Sequence, residues 1–262
     1  MIGGHPLASL PTTLPPIDFM CTLSFIPGET GYLVGMNRDE RFSRTRSLPP
    51  EIFDNAIYPH EPSGGTWLGV NTDGLTLAVL NRNEDGPLPA KQRSRGELIP
   101  AMIASECLAD VQRRLVAFDI RGMYPFRLVA ISMQDREICE WQWGTKLNRL
   151  NFEWQPRHWF SSGISDSEAN RGRSPVVQEA WKGPDAGTIP WLQQLHRSHA
   201  PRPGPYSICV HRDDAASVSY SEIEVTPSTV QFRYAAGYPC EAKGFTSEKR
   251  LGYRSVVGAS GN

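Results

Sequence analysis

Apolar residues alternate with a period of two near both ends of the chain and take helical spacing between them. Cys21 to Phe25 and Tyr32 to Asn37 read as two short strands around the Pro27-Gly28-Glu29-Thr30-Gly31 turn. Thr66 to Asn71 and Leu75 to Asn81 form a second hairpin about Thr72-Asp73-Gly74. Asn81 therefore ends a strand, where side chains commonly face a site. The proline-bearing stretch from Arg41 to Ser63 reads as a connecting loop, and Gly86 to Arg95 as a polar one.

Ser94 and Glu97 have capping-box spacing, and Pro100 suits only a first helical turn, so regular helix starts near Leu98. Leu98, Ile99, Met102, Ile103 and Cys107 make one apolar face; Val111, Leu115 and Phe118 make another. Strands follow at Phe126 to Ser132, Ile138 to Trp143 and Trp159 to Ser162, and helices at Pro175 to Trp181 and Ile189 to His199. Three strands close the chain, at about Tyr206 to His211, Ser217 to Val225 and Val230 to Tyr234. Strands at both ends with two helical pairs between them predict an α+β architecture whose layers share one core. With no internal repeat, linker or low-complexity block, residues 20–262 read as a single domain behind a distinct segment 1–19.

The 262 residues carry 39% apolar and 10% aromatic side chains, enough for a sizeable core. No segment approaches the roughly 20 apolar residues of a membrane span. With 27 basic against 28 acidic residues the net charge is −1, which argues against a nucleic-acid binder. Two arginine-rich clusters, Arg41/Arg44/Arg46 and Lys91/Arg93/Arg95, read as solvated loop charges or as an anionic ligand site near Arg38 and Arg95. The five cysteines are odd in number and widely spaced, without CxxC, as expected of reduced thiols in a cytoplasmic protein. Cys107 and Cys139 read as core residues.

Residues 1–19 are proline-rich and lack the charged start and apolar run of a secretory signal. They read as an early-called start, a self-removed propeptide or a disordered tail that packs against nothing. The spacing of His196 and His199 suits a metal pair, but with no supporting carboxylate a solvated helix end is the simpler reading. Cys209 and His211, two apart on an expected strand, read as a buried cysteine beside a surface histidine rather than a thiolate–imidazole or haem-ligand pair. No metal site is assigned. Trp67, Trp141 and Trp143 read as core or edge aromatics.

Chemistry concentrates in six motifs that occur in order. They are Met20-Cys21, Asn37-Arg38-Asp39-Glu40, Gly64-Gly65-Thr66-Trp67-Leu68-Gly69, Leu80-Asn81-Arg82, Ser94-Arg95-Gly96-Glu97-Leu98 and Cys209-Val210-His211-Arg212. Together they resemble the NRDE family, which includes the transport and Golgi organisation 2 proteins and is related to cysteine N-terminal-nucleophile (Ntn) hydrolases. The late motif, with Tyr238-Pro239-Cys240, resembles a bacterial branch. The resemblance implies a four-layer αββα sandwich of two mainly antiparallel sheets between helical layers. It also implies that Cys21, once first in the chain, is a nucleophile whose own α-amine serves as base. By resemblance to penicillin V acylases and bile salt hydrolases, Asp39 orients that amine and Asn81 donates to the oxyanion. Met36 stands where those hydrolases have an arginine, with Arg38 two positions along on the same strand face. No arginine matches their later one, for which Val218 is the nearest position.

Two functions follow from the resemblance. One is a cysteine amidohydrolase or acyl-transfer enzyme for a small amide or thioester, using Cys21, Asp39 and Asn81. Asn37, Arg38, Glu40 and Arg95 would bind the ligand, and no cofactor is required. The other is a non-enzymatic carrier, with haem, acyl-coenzyme A or a lipid as the carried ligand. Either has a small-molecule partner and no nucleic-acid partner, and a homo-oligomer is compatible with both.

Overall fold

The computed structural model describes residues 20–83, 93–163 and 165–254. The expected extension 1–19 and most of the polar loop after Gly86 lie outside these residues. Two antiparallel sheets face each other. One contains β1 (Met20–Pro27), β2 (Tyr32–Arg41), β10 (Arg157–Ser161), β11 (Ala215–Val225), β12 (Thr229–Ala236) and β13 (Ser247–Gly252), in the order β10-β1-β2-β11-β12-β13. The other runs β3-β4-β5-β6-β7-β8-β9 and contains β3 (Leu48–Phe53), β4 (Ala56–His60), β5 (Leu68–Asn71), β6 (Leu75–Asn81), β7 (Phe126–Ser132), β8 (Glu137–Trp143) and β9 (Leu147–Phe152).

Alternation along the strands builds three apolar layers. In β1, Cys21, Leu23 and Phe25 point between the sheets with Tyr32, Val34 and Met36 of β2, and meet Trp67, Leu68, Ala78 and Leu80 from the second sheet. The back of the second sheet packs on α1 (Leu98–Met102) and α2 (Leu108–Ala117) through Leu77, Ile99, Val111 and Trp141. The back of the first packs on α3 (Asp166–Ala180) and α4 (Ile189–His196) through Ile26, Phe160, Val177 and Leu192. The stacking is α–β–β–α, the four-layer sandwich expected.

Polar groups inside the α4 layer are mutually satisfied. His196 lies against Ser24 (Nε2···Oγ, 2.9 Å) and Asn37 (Nδ1···Oδ1, 3.1 Å). His158 touches the same hydroxyl at 2.8 Å and accepts from Trp181 Nε1 at 3.2 Å. Burial holds both imidazoles neutral, His158 at about 4 and His196 at about 3. Gly35 permits the approach, since a Cβ there would come within 2.9 Å of His196 Nε2.

Several sequence expectations are corrected. The 41–63 stretch is not merely a loop: it contains the β3–β4 hairpin, with Pro49 and Pro50 in β3 at the outer edge of its sheet, where missing donors are tolerated. Strands β9 and β13 were not expected, and each is also an outer strand. The helix expected from Pro175 begins at Asp166 and contains that proline. No strand spans 206–211, only a bridge between His211 and Ala216. His196 is fully buried, so the end of α4 is not the solvated one expected.

Candidate active site

Antiparallel pairing places the nucleophile candidate. Cys21 in β1 stands opposite Arg38 in β2 and opposite Ser161 in β10, and its backbone N–H donates to Ser161 Oγ at 3.0 Å. Its side chain points between the sheets, onto the floor of a narrow cavity of about 30 Å³ shared with Trp67, Asn81 and Arg95. Asn81 arrives there because it ends β6. Trp67 is buried there too, and its indole N–H has no hydrogen-bond partner. With the chain continuous through Met20, the Cys21 thiol is pushed up to about 12, first by burial and then by the Asp39 charge; the Asp39 backbone N–H and Arg38 oppose this.

Asp39, one residue beyond Arg38, falls on the opposite face of β2, toward α3. It is fully buried, accepts from Ser217 Oγ through Oδ1, and keeps Oδ2 without a hydrogen-bond partner. Behind it stands Arg173, also fully buried. Its Nη1 donates to Thr22 Oγ1 (3.0 Å) and the carbonyls of Cys21 (3.2 Å) and Ser161 (3.3 Å), its Nε donates to Ser207 O (3.0 Å), and its Nη2 lies 3.7 Å from Asp39 Oδ2. Burial raises the Asp39 carboxyl to about 7, with the Arg173 cation pulling against it.

These shifts have a sign for stability. Below pH 6.5 the unfolded chain protonates His158 and His196 while the folded chain does not, so acid costs stability. Asp39 is raised, so over the same range the folded chain takes up a proton that the unfolded chain, above 3.8, does not. Between about pH 6.5 and 4 the three leave one excess proton on the unfolded state, a loss of about 1.4 kcal/mol per pH unit. Asp39→Asn removes the opposing proton, so urea midpoints measured across that range should fall about twice as steeply. An equal slope would remove Asp39 from the balance.

The other expected ligand residues separate. Arg38 is buried over the Trp67 ring at 4.2 Å and paired with Glu40 (2.9 Å) and Glu61 (2.8 Å). With Glu40 it lines a second cavity of about 420 Å³, whose wall includes Arg41, Arg44, Arg46, Phe42, Tyr234 and Tyr238. Arg44 borders both cavities. Arg95 lines the smaller one and donates to Pro125 O. Asn37 does neither: its amide donates to His196 O and Ile208 O, both at 2.9 Å, on the face toward α4. Its neighbours in sequence suggested a ligand contact, but strand alternation turns it away.

Sequence reasoning missed Arg173, whose helix buries Ala169, Arg173 and Val177 at i, i+4 and i+8. A charge in the middle of an apolar stripe was the available signal. Val218, the position compared with the hydrolases' later arginine, instead sits at a β-bulge and lines the larger cavity.

No curated protein sequence matches the chain. Among solved structures, an N-acylethanolamine-hydrolyzing acid amidase ortholog of Caenorhabditis elegans aligns with a TM-score of 0.54 at 8% identity, covering 78% of this chain and 92% of that one. A penicillin V acylase from Agrobacterium tumefaciens aligns at 0.48 and 11% identity, covering 82% and 83%. At such identities the likeness is one of fold, and the fold is that of the Ntn hydrolases. A family model described as "Transport and Golgi organisation 2" matches residues 20–180, and the chain belongs to that family.

Proposed function

We propose that the protein is a cysteine acyl-transfer hydrolase, cleaving a small amide or thioester with Cys21 as nucleophile. The observation that carries this is the placement of Cys21 on the floor of a cavity shared with Asn81, backed by a buried Asp39 whose Oδ2 lacks a hydrogen-bond partner. Met20 is the cross-strand partner of Asp39. A chain beginning at Cys21 would present an α-ammonium or amine on that side, a donor for the unmet carboxylate oxygen. The amine takes the thiol proton as sulfur attacks the acyl carbon, and the oxyanion receives a hydrogen bond from the Asn81 amide. The amine then returns the proton to the departing nitrogen or sulfur, leaving an acyl-thioester on Cys21, which water hydrolyses to the acid. Arg173 touches no reacting atom; it fixes the Cys21 carbonyl and the Asp39 carboxylate as a positioning residue.

The larger cavity supports an anionic group on the substrate, because four arginines line it, with Glu40 as the acidic side chain among its lining residues. Its volume is within the range of small-molecule sites. Asn81→Ala should lower kcat by about 10²–10³. The direct test is intact-mass detection of a single acyl group on Cys21 after mixing a Cys21-first chain with short acyl thioesters and amides. Binding of haem or acyl-coenzyme A with neither adduct nor turnover would replace the enzyme with a carrier using the same arginines.

A further inference from the structure

Beside the start of β11, the strap after α4 and the turn after β12 bring four metal-ligand side chains together. His199 lies three residues beyond α4, Cys209 and His211 on the strap that follows, and Cys240 in the turn after β12. One ligand atom from each lies within 4.8 Å of all the others. His211 Nε2 is 3.7 Å from Cys209 Sγ and 3.4 Å from Cys240 Sγ. A tetrahedral site with Zn–S about 2.3 Å and Zn–N about 2.0–2.1 Å has S···N edges of about 3.6 Å, so both spacings already fit around one ion. The His199 and His211 rings stand at 75° with centroids 4.8 Å apart. His199 Nε2 is buried and has no hydrogen-bond partner, an acceptor that the protein leaves unmet.

We propose that His199, Cys209, His211 and Cys240 bind a zinc ion in a closed, structural site. Two thiolates balance the charge of the ion, and a mixed sulfur–imidazole tetrahedron selects zinc among common divalent metals. Four protein ligands leave no open position for substrate, so the role is mechanical. The ion staples the 199–211 strap to the turn beyond β12. That strap supplies Ser207 O to Arg173 and Ile208 O to Asn37, and Val210 N–H to the Ser217 hydroxyl that contacts Asp39. Tyr238, in the wall of the larger cavity, packs on the His211 ring at 5.1 Å. The clip therefore supports both the charged layer behind Cys21 and one side of the arginine cavity. It was hidden in the sequence because the ligands fall in no short metal-binding repeat.

The test uses the full chain purified under reducing conditions, with elemental analysis, removal of metal by a chelator and titration with zinc alone. About one zinc per chain is expected, with cobalt(II) in its place giving the visible absorption of a tetrahedral thiolate site. Cys240→Ser should weaken zinc binding by more than the 10–100-fold typical of losing an outer-sphere partner. Should that variant fail to fold, zinc added to the wild-type apoprotein should protect Cys209 and Cys240 from alkylation while Cys107, half-buried rather than in the core as its sequence suggested, labels throughout. Absence of stoichiometric zinc, iron in its place, undiminished zinc binding by a folded Cys240→Ser, or no protection of the two cysteines would overturn the site.

Discussion

Arg173→Ala is expected to cost about 3–5 kcal/mol of folding stability, the typical effect of breaking a buried ion pair from one side. The guanidinium is fully buried and donates to three carbonyls and a hydroxyl drawn from β1, β10 and the strap that carries Ser207. Its removal leaves those acceptors unmet and leaves Asp39 buried without a countercharge. Asp39, already raised to about 7, should then stay protonated throughout the neutral range. Pairing the change with Asp39→Asn separates the two effects. The double variant should lose less than the sum of the single ones, because each single change leaves one member of the pair buried without the other and the double change leaves neither so, while the unmet carbonyls remain. Arg173→Lys keeps the charge but not the fork of donors, and should fall between. Urea unfolding at pH 7 gives all four values. A loss below about 1 kcal/mol in Arg173→Ala would mean that water or a shifted side chain replaces the fork, and that Arg173 does not hold the layer behind Cys21.

Freeing the α-amine of Cys21 should raise turnover by about 10²–10⁴, the usual contribution of a positioned general base. The reason is the thiol. At about 12 in the uninterrupted chain, only about one molecule in 10⁵ carries a thiolate at pH 7, and Asp39 is not placed to serve as base because it lies on the other face of β2 from the thiol. A chain beginning at Cys21 supplies an amine on the same residue, with an ordinary α-amino value of about 7.7–8.0. Rates against pH for the Cys21-first chain should therefore rise with deprotonation of one group that is absent when Met20 is retained. Cys21→Ala should show no turnover in either form. Equal rates with and without Met20, on substrates that both forms bind, would rule out the amine as base.

The fold was legible where a strand or helix buries one clean face. Leu75 to Asn81 and Phe126 to Ser132 lie at the centre of their sheet and were read with their observed ends. The outer strands β9 and β13 were not, because they bury little and keep polar residues on both faces. At the site, Cys21 and Asn81 were found by resemblance, and pairing brings them to one cavity. Asn37 and Asp39 share a motif with Arg38 but face the helices, a consequence of two-residue alternation that a motif match does not register. Arg173 was hidden twice: its helix has few apolar residues and contains Pro175, and its partners are 12 to 152 residues away.

The edge of the seven-stranded sheet also bears on how copies of this chain meet. An outer strand with free N–H and C=O groups is a template for another chain, and extended sheet growth is a common route to insoluble aggregates. Pro49 and Pro50 remove two successive donors from β3, and a register shift between Leu48 and Glu51 interrupts its ladder. On the other sheet, β13 carries Glu248, Lys249 and Arg250 along its length. Both strands are thus poor templates, and any specific assembly of the protein should leave these two strand edges unextended.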